Sequence, residues 1–375
     1  MSTTNPLTIE DVFITTFKRE VPAGAYPGGT SLPYGGRCDL GILTIRTTGG
    51  HEGHSFLGAF NRDVNEDAGL LLKNLKPLVV GEHALQIEKF WRKMWRRKRG
   101  VSIRAIGAVD VALWDLAGQI TEQPIYRLLG GYRDSVPAYA SSAYLPTAQD
   151  YAEEAVTFRD RGWKAYKIHP HTEPNEDIEI CRVVRDAVGP EMVLMLDAAW
   201  SYNYETAVRV GRAIEDLNFY WYEDPLEGED IYGYSKLRQK LEIPIISTEY
   251  APGGFYGMQQ WILQGATDML RGDVAVVGGI TPLMKIANLA DAFRMNCEIH
   301  HGGNSLNNVA NLHATLAIGN CEYFEVLLPD EVQKFGLLDD IVVDKNGLVH
   351  APKEPGLGYA IDWDLVKQTQ ISELR

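Results

Sequence analysis

Cysteine is scarce in this chain. There are four in 375 residues, Cys38, Cys181, Cys297 and Cys321, and no two form a C-x-x-C pair. That spacing excludes a disulfide scaffold and a thiolate zinc site, and makes a reducing cytoplasm the expected location. No apolar run is long enough to cross a bilayer, so no membrane partner is expected. The opening residues, MSTTNPLTIEDV, lack the basic end and apolar stretch of an export signal. Positive charge is also short: 36 Lys and Arg stand against 50 Asp and Glu, a net charge of −14. That balance argues against nucleic acid as a partner. In the one basic run, residues 90–100, Phe90, Trp91, Met94 and Trp95 recur at helical spacing between the charges. It reads as a helix with one buried and one solvated face.

What the chain does have is acid at the ends of apolar runs. Asp197, Glu223 and Glu249 stand at equal intervals of 26 residues and close the runs VLMLD, FYWYE and PIISTE. An acid in that position costs free energy unless a cation compensates it. Three of them, one repeat apart, point to a single divalent metal site built by consecutive strands.

The repeat belongs to a longer pattern. Strands are expected at 136–142, 165–169, 193–198, 220–225, 243–248, 269–277, 297–301 and 323–328, with helical stretches between them. Eight strands at this rhythm predict an α/β fold, a parallel (β/α) barrel spanning about residues 131–330. Residues 1–130 differ, with antiparallel-type strands followed by helices, and are expected to form a separate α+β lobe. The Gly- and Pro-rich segment 22–36 reads as a loop, and Tyr26, Leu32 and Tyr34 give it the apolar grip of a lid. The tail, 331–375, is expected to pack back on the first lobe.

Functional groups in such a barrel gather at the C-terminal ends of the strands. Three carboxylates there suit a hard octahedral cation, Mg²⁺ first and Mn²⁺ second. Asp224 is a rival ligand beside Glu223, although alternation should turn only one of the pair inward. On the second strand Lys167 and His169 are two apart and share a face. The Lys is placed to hold a substrate carboxylate, and the His to move a proton. Asp273 lies on the sixth strand and His300 and His301 on the seventh, and an Asp beside a His fixes its tautomer. Glu325 follows Tyr323 and Phe324, an apolar setting that should raise its pKa. Together these groups fit removal of the proton α to a carboxylate, with two bases on opposite faces of the substrate.

The motifs AIGAVDVALWDLAGQ, LLGG, KIH, LMLDAAW, WYEDP, STEY, RGDVAVVGGIT, EIHH and YFEV make the chain resemble the mandelate racemase subgroup of the enolase superfamily, over nearly its whole length. The resemblance implies an α+β capping domain, a modified (β/α)₇β barrel and one Mg²⁺. It implies Asp197, Glu223 and Glu249 as ligands, Asp273 and His300 as a dyad, and Glu325 as the strand-eight acid. The ungapped distance from the GGIT stretch selects His300 over His301. The chain departs from the commoner pattern at His169, where many members carry a second Lys, and at Ala199, which precedes Trp200. The segment 53–60, including His54, is racemase-like and expected in the lid, and Trp200 and Tyr250 are expected to shape specificity. The implied activity is that of an acid-sugar dehydratase acting on a small carboxylate substrate, in a homo-oligomer. The alternatives are a racemase or epimerase of a 2-hydroxy acid and a cycloisomerase of a sugar lactone or anhydro-sugar acid. A metal-independent glycosidase using Glu223 and Glu249, or a non-catalytic binding protein, are readings from other classes.

Overall fold

The β-branched and aromatic run Ile9–Phe17 forms the first strand, β1, of the computed structural model, which describes residues 5–25 and 33–375. Glu20–Ala25 (β2) and Pro33–Arg37 (β3) pair as an antiparallel hairpin, with Val21 opposite Gly36 and Gly24 opposite Tyr34. The segment read as a loop over 22–36 is therefore partly strand, because backbone pairing tolerates its glycines at this edge. Tyr26 and Leu32 lie outside the described residues. Leu40–Thr47 (β4) and Glu52–Leu57 (β5) complete an antiparallel sheet with β1.

The helix Ile103–Thr121 lies between this sheet and the barrel. Ser102 caps it by accepting the Ala105 N–H at 3.0 Å. Two glycines set how closely it packs. A Cβ on Gly53 of β5 would meet the Ala112 carbonyl oxygen at 2.3 Å, and one on Gly107 would meet the Val274 carbonyl oxygen at 2.6 Å. The basic run falls in and just after the helix Ile87–Trp95, which buries Phe90, Trp91, Met94 and Trp95 and turns its charges outward.

The barrel strands are Ser135–Ser141 (β6), Ala165–Ile168 (β7), Val193–Asp197 (β8), Trp221–Glu223 (β9), Ile245–Ser247 (β10), Met269–Gly272 (β11), Cys297–Ile299 (β12) and Phe324–Leu327 (β13). They pair in parallel in the order β13–β6–β7–β8–β9–β10–β11–β12. Leu348–His350 (β14) adds antiparallel to β6. The final strand, Gln370–Leu374 (β15), pairs with β1, so the tail joins the first sheet. The helix Ile231–Arg238 lies between β9 and β10.

Several strands are shorter than the apolar pattern implied. The sixth stops at Gly272, and Asp273 then caps the short helix Val274–Val277, accepting from the Ala275 N–H at 2.7 Å. The seventh stops at Ile299. Polar groups that must reach a site leave the ladder to do so. Inside the barrel, Tyr139, Ala165, Met195, Trp221, Ile246 and Met269 pack against one another, so the barrel is filled and not a pore. The β12–β13 edge, where the parallel ladder is open, is bridged by His301. Its N–H donates to Glu325 at 3.1 Å, and its Nδ1 accepts the Leu327 N–H at 3.2 Å.

Gly107→Ala should reverse the usual sign of a helical Gly-to-Ala change. Helix propensity favours Ala by about 1 kcal/mol, but a methyl 2.6 Å from a backbone oxygen forces an overpacking cost of about 1–3 kcal/mol. A lower melting temperature in thermal denaturation is the expected result, and a higher one contradicts this packing.

Candidate active site

The three equally spaced acids sit where the backbone is strained. Asp224, next to Glu223, has φ 39°. Thr248, next to Glu249, has φ 90°. Ala199 and Trp200, just past Asp197, have φ 46° and 62°. Left-handed backbone is costly for residues other than glycine and persists only where the surroundings enforce it. It has a visible result here. Ile246 packs inside the barrel, so simple alternation would turn Glu249 outward. The turn at Thr248 cancels that phase and brings Glu249 to the site. The turn at Asp224 likewise lets both Glu223 and Asp224 face the same centre, contrary to the alternation expected from sequence. Glu223, Asp224 and Glu249 each place a carboxylate oxygen within 4.8 Å of the others, and all three are buried.

Asp197 is held slightly apart from this trio. Its Oδ2 lies 3.1 Å from Lys167 Nζ and 3.1 Å from His169 Nε2. Lys167 also reaches Glu223 at 3.0 Å and Glu325 at 2.8 Å, with no solvent exposure. Its three donors are therefore spent on three side-chain carboxylates. Opposite it, Arg271 is equally buried and lies 2.6 Å from Glu223 Oε1, 2.6 Å from Glu325 Oε2 and 3.2 Å from the Tyr139 hydroxyl.

The charges sort into two groups. Burial alone would raise Asp197 and Glu325, but Lys167 beside both, His169 beside Asp197 and Arg271 beside Glu325 hold them well below the usual carboxylate range. Glu325 was expected to be raised by its aromatic neighbours in sequence. Tyr323 and Phe324 do not set its surroundings; Lys167 and Arg271 do. In the trio the balance is reversed. Burial, only partly opposed by Arg271 and Lys167, pushes Glu223 up to about 8. Burial, then repulsion from Glu223, Asp197 and Glu249, pushes Asp224 far up, and burial raises Glu249. Carboxylates driven toward protonation by burial and crowding, all with hard oxygen donors, match the needs of a divalent cation such as Mg²⁺.

Two histidines reach this centre from either side. His169, past the end of β7, donates from Nδ1 to the Ser142 carbonyl at 2.7 Å. A carbonyl can only accept, so Nδ1 holds its proton, and the other ring nitrogen, Nε2, faces the Asp197 carboxylate at 3.1 Å. His300, past the end of β12, lies with Nδ1 2.9 Å from Asp273 Oδ2 and Nε2 3.6 Å from Glu249. Burial would lower His300, but Glu249 and Asp273 outweigh it and push the ring up to about 9. His301 behaves in the opposite way: burial lowers it to about 3. The neutral ring can accept the Leu327 N–H, and its role is to bridge the barrel edge.

Two family models match this chain. The mandelate racemase / muconate lactonizing enzyme N-terminal domain covers residues 13–130, and the enolase C-terminal domain-like family covers residues 150–365. This chain belongs to the enolase superfamily. Among relatives of this superfamily protein, arabinonate dehydratase of Saccharolobus solfataricus is 31% identical over 300 residues, 77% of this chain and 79% of the relative. D-galactarolactone cycloisomerase of Agrobacterium fabrum is 29% identical over 322 residues, 79% of this chain and 82% of the relative. The crystal structure of D-glucarate dehydratase from Agrobacterium tumefaciens, complexed with magnesium, superposes with a TM-score of 0.88 at 33% identity. That match covers 98% of this chain and 100% of the other.

The lid residues expected in this superfamily chain divide. Trp200 and Tyr250 meet edge to face with ring centroids 5.5 Å apart, and Arg104 donates to the Tyr250 hydroxyl at 3.1 Å. His54 lies elsewhere. Its Nδ1 is 3.2 Å from Thr44 Oγ1 and its ring packs against Trp363, in a separate cavity of about 580 Å³ beside the C-terminal segment. Its place on β5, next to the helix-facing Gly53, turns it toward that segment. Tyr26 is outside the described residues. Arg271 and Tyr139 were missed from sequence. The usable signal was Arg271 itself, a charge inside an apolar strand two residues before Asp273.

In metal-free protein the His300 imidazolium should persist to about pH 9, and Glu249→Gln should lower that value by removing a charge that raises it. Because the folded-state value exceeds the unfolded one of about 6.5, its contribution to stability is full below pH ~6.5 and is lost as pH rises through the folded value. An NMR titration of the ring measures both. An unchanged value in the Gln variant contradicts the assigned cause.

Proposed function

We propose that the protein is a Mg²⁺-dependent dehydratase of a sugar acid, which yields a 2-keto-3-deoxy acid. The carrying observation is the pair of histidines on opposite flanks of one carboxylate cluster, on the second and seventh barrel strands. One is held at Nδ1 by the Ser142 carbonyl and turns Nε2 toward Asp197, and the other is charged through Glu249 and Asp273. The relatives named as sugar-acid dehydratases support the reading.

Magnesium, when bound by Asp197, Glu223 and Glu249, supplies the charge that stabilises an enediolate. Glu223 and Glu249 belong to the crowded trio, and Asp197, 3.1 Å from His169, would complete the set. Asp224 accepts from the Tyr234 hydroxyl at 3.4 Å. His169 takes the C2 proton onto Nε2 while the Ser142 carbonyl holds the ring. His300 gives its proton to the C3 hydroxyl, which leaves as water, and Asp273 keeps the ring aligned. The enol formed then tautomerises to the keto acid. Trp200 and Tyr250 shape the rim that admits the substrate. The full burial of Glu223, with both of its oxygens in contact with cations, speaks against a glycosidase in which it would have to reach a sugar.

The same two-sided geometry also serves a racemase, and a relative is named as a cycloisomerase. Incubating candidate sugar acids with protein and Mg²⁺ in D₂O separates the three. A deuterated 2-keto-3-deoxy acid is the expected product. Inversion at C2 without keto acid, or an isomer formed without loss of water, overturns the proposal. In calorimetric titrations Asp197→Asn should weaken Mg²⁺ binding at least tenfold more than Asp224→Asn does; the reverse order would assign the third ligand to Asp224.

A further inference from the structure

Between Glu88 and Asp110 the chain carries eight lysines and arginines and no acid. Taking those eight positive charges from a net charge of −14 leaves −22 on the rest of the protein. Three of the eight, Lys89, Arg92 and Lys93, pair with Glu82 and Glu88. Arg96, Arg97, Lys98 and Arg99 do not. They lie just past the helix Ile87–Trp95, all exposed, and none has an ion pair among the described residues. Like charges set side by side repel. Solvation of a turn does not require four of one sign, least of all in an acidic chain.

The fold pins this turn beside the mouth of the site. Trp95 packs so closely on the loop after β10 that a Cβ on Gly254 would come 2.7 Å from its ring. Lys98 Nζ lies 4.4 Å over the same ring. Trp95 and Lys98 line a crevice of about 270 Å³ whose facing wall includes Glu249, Tyr250 and Gly254. Glu249 is one of the proposed metal ligands, and Tyr250 is at the rim. A further cation, Arg104, reaches that rim from the next helix. It donates to the Tyr250 hydroxyl at 3.1 Å and has no ion pair among the described residues.

We infer that Arg96, Arg97, Lys98, Arg99 and Arg104 form a collecting surface for the anionic substrate, which raises its local concentration beside the mouth and takes no part in the chemical step. The inference rests on the reading of the substrate as a sugar acid, an anion at neutral pH. Such an anion meets a repulsive net charge over the rest of the protein, and a local patch of opposite sign offsets that repulsion where entry occurs. The fit is to a small anion. A polyanion longer than the turn would run onto the acidic remainder.

Salt separates capture from contact. The Debye length is about 30 Å at 0.01 M ionic strength and about 3 Å at 1 M. The full-length variant R96Q/R97Q/K98Q/R99Q changes only exposed side chains. With Mg²⁺ saturating, its kcat/KM for a sugar acid that the wild type dehydrates should be at least fivefold below wild type at about 0.01 M and within twofold at about 1 M. Its kcat should stay within twofold at both. Equal kcat/KM at low salt overturns the inference. So does a loss that persists at 1 M, which would mean direct contact, or one carried by kcat. A second measurement needs no turnover. A carboxylate-bearing nitroxide and its neutral carboxamide counterpart are added separately to wild-type protein, and amide proton relaxation is read by NMR. The anionic probe should relax the amides of residues 96–100 and 250–251 at least twofold more than the neutral one, and the variant should lose that preference. Equal relaxation by the two probes in the wild type overturns the collecting surface. If the wild type dehydrates no sugar acid, the dehydratase reading fails, and the nitroxide comparison still decides whether this surface gathers anions.

Discussion

An ionised side chain inside a β-barrel must be balanced by an opposite charge within a few ångströms, and this requirement organises the site. Two cations, Lys167 and Arg271, meet Glu223 and Glu325. Of the neighbouring acids, Asp224 is driven upward by burial and by repulsion from Glu223, Asp197 and Glu249, and Glu249 is raised chiefly by burial although Arg271 lies 3.9 Å from it. Lys167 and Arg271 thus balance only part of the acid cluster, and the remaining negative charge is what a metal ion would compensate. The interior below is apolar and filled, so chemistry is confined to the C-terminal end of the barrel.

The backbone enforces the separation. Left-handed residues cluster beside the acids of β8, β9 and β10, where strand geometry alone would have sent Glu249 away from the centre. Strain stored at these turns is maintained by the rest of the fold, including hydrogen bonds such as that of Thr248 Oγ1, which accepts the Arg271 N–H at 2.9 Å. The capping domain adds a further constraint. Its long helix reaches the loop after β11 through Gly107, close to Val274 and hence to Asp273, the partner of His300.

The two adjacent histidines show how position, not residue type, decides chemistry. His300 is beside Asp273 and Glu249 and carries a proton. His301 is buried against the barrel edge, stays neutral and links β12 to β13. His169 is a third case, its tautomer fixed by a backbone carbonyl.

The sequence by itself determined the barrel, the three acids, the Lys167–His169 face and the Asp273–His300 pairing, because each is written in short-range terms: a period of two along strands and a repeat of 26 residues between strand ends. It also determined the family, since the motifs are local. Tertiary structure alone decided what those residues face. Glu325 is ionised, not raised, because its neighbours across the barrel are Lys167 and Arg271. Asp224 joins Glu223 because the chain turns after β9, and His54 sits at the C-terminal segment, away from the site. The contacts among Lys167, Glu223, Arg271 and Glu325 could not be read from sequence because these residues lie at least 48 positions apart. Only closure of the barrel brings their charges within 3 Å, and Coulomb energy depends on that distance, not on separation along the chain.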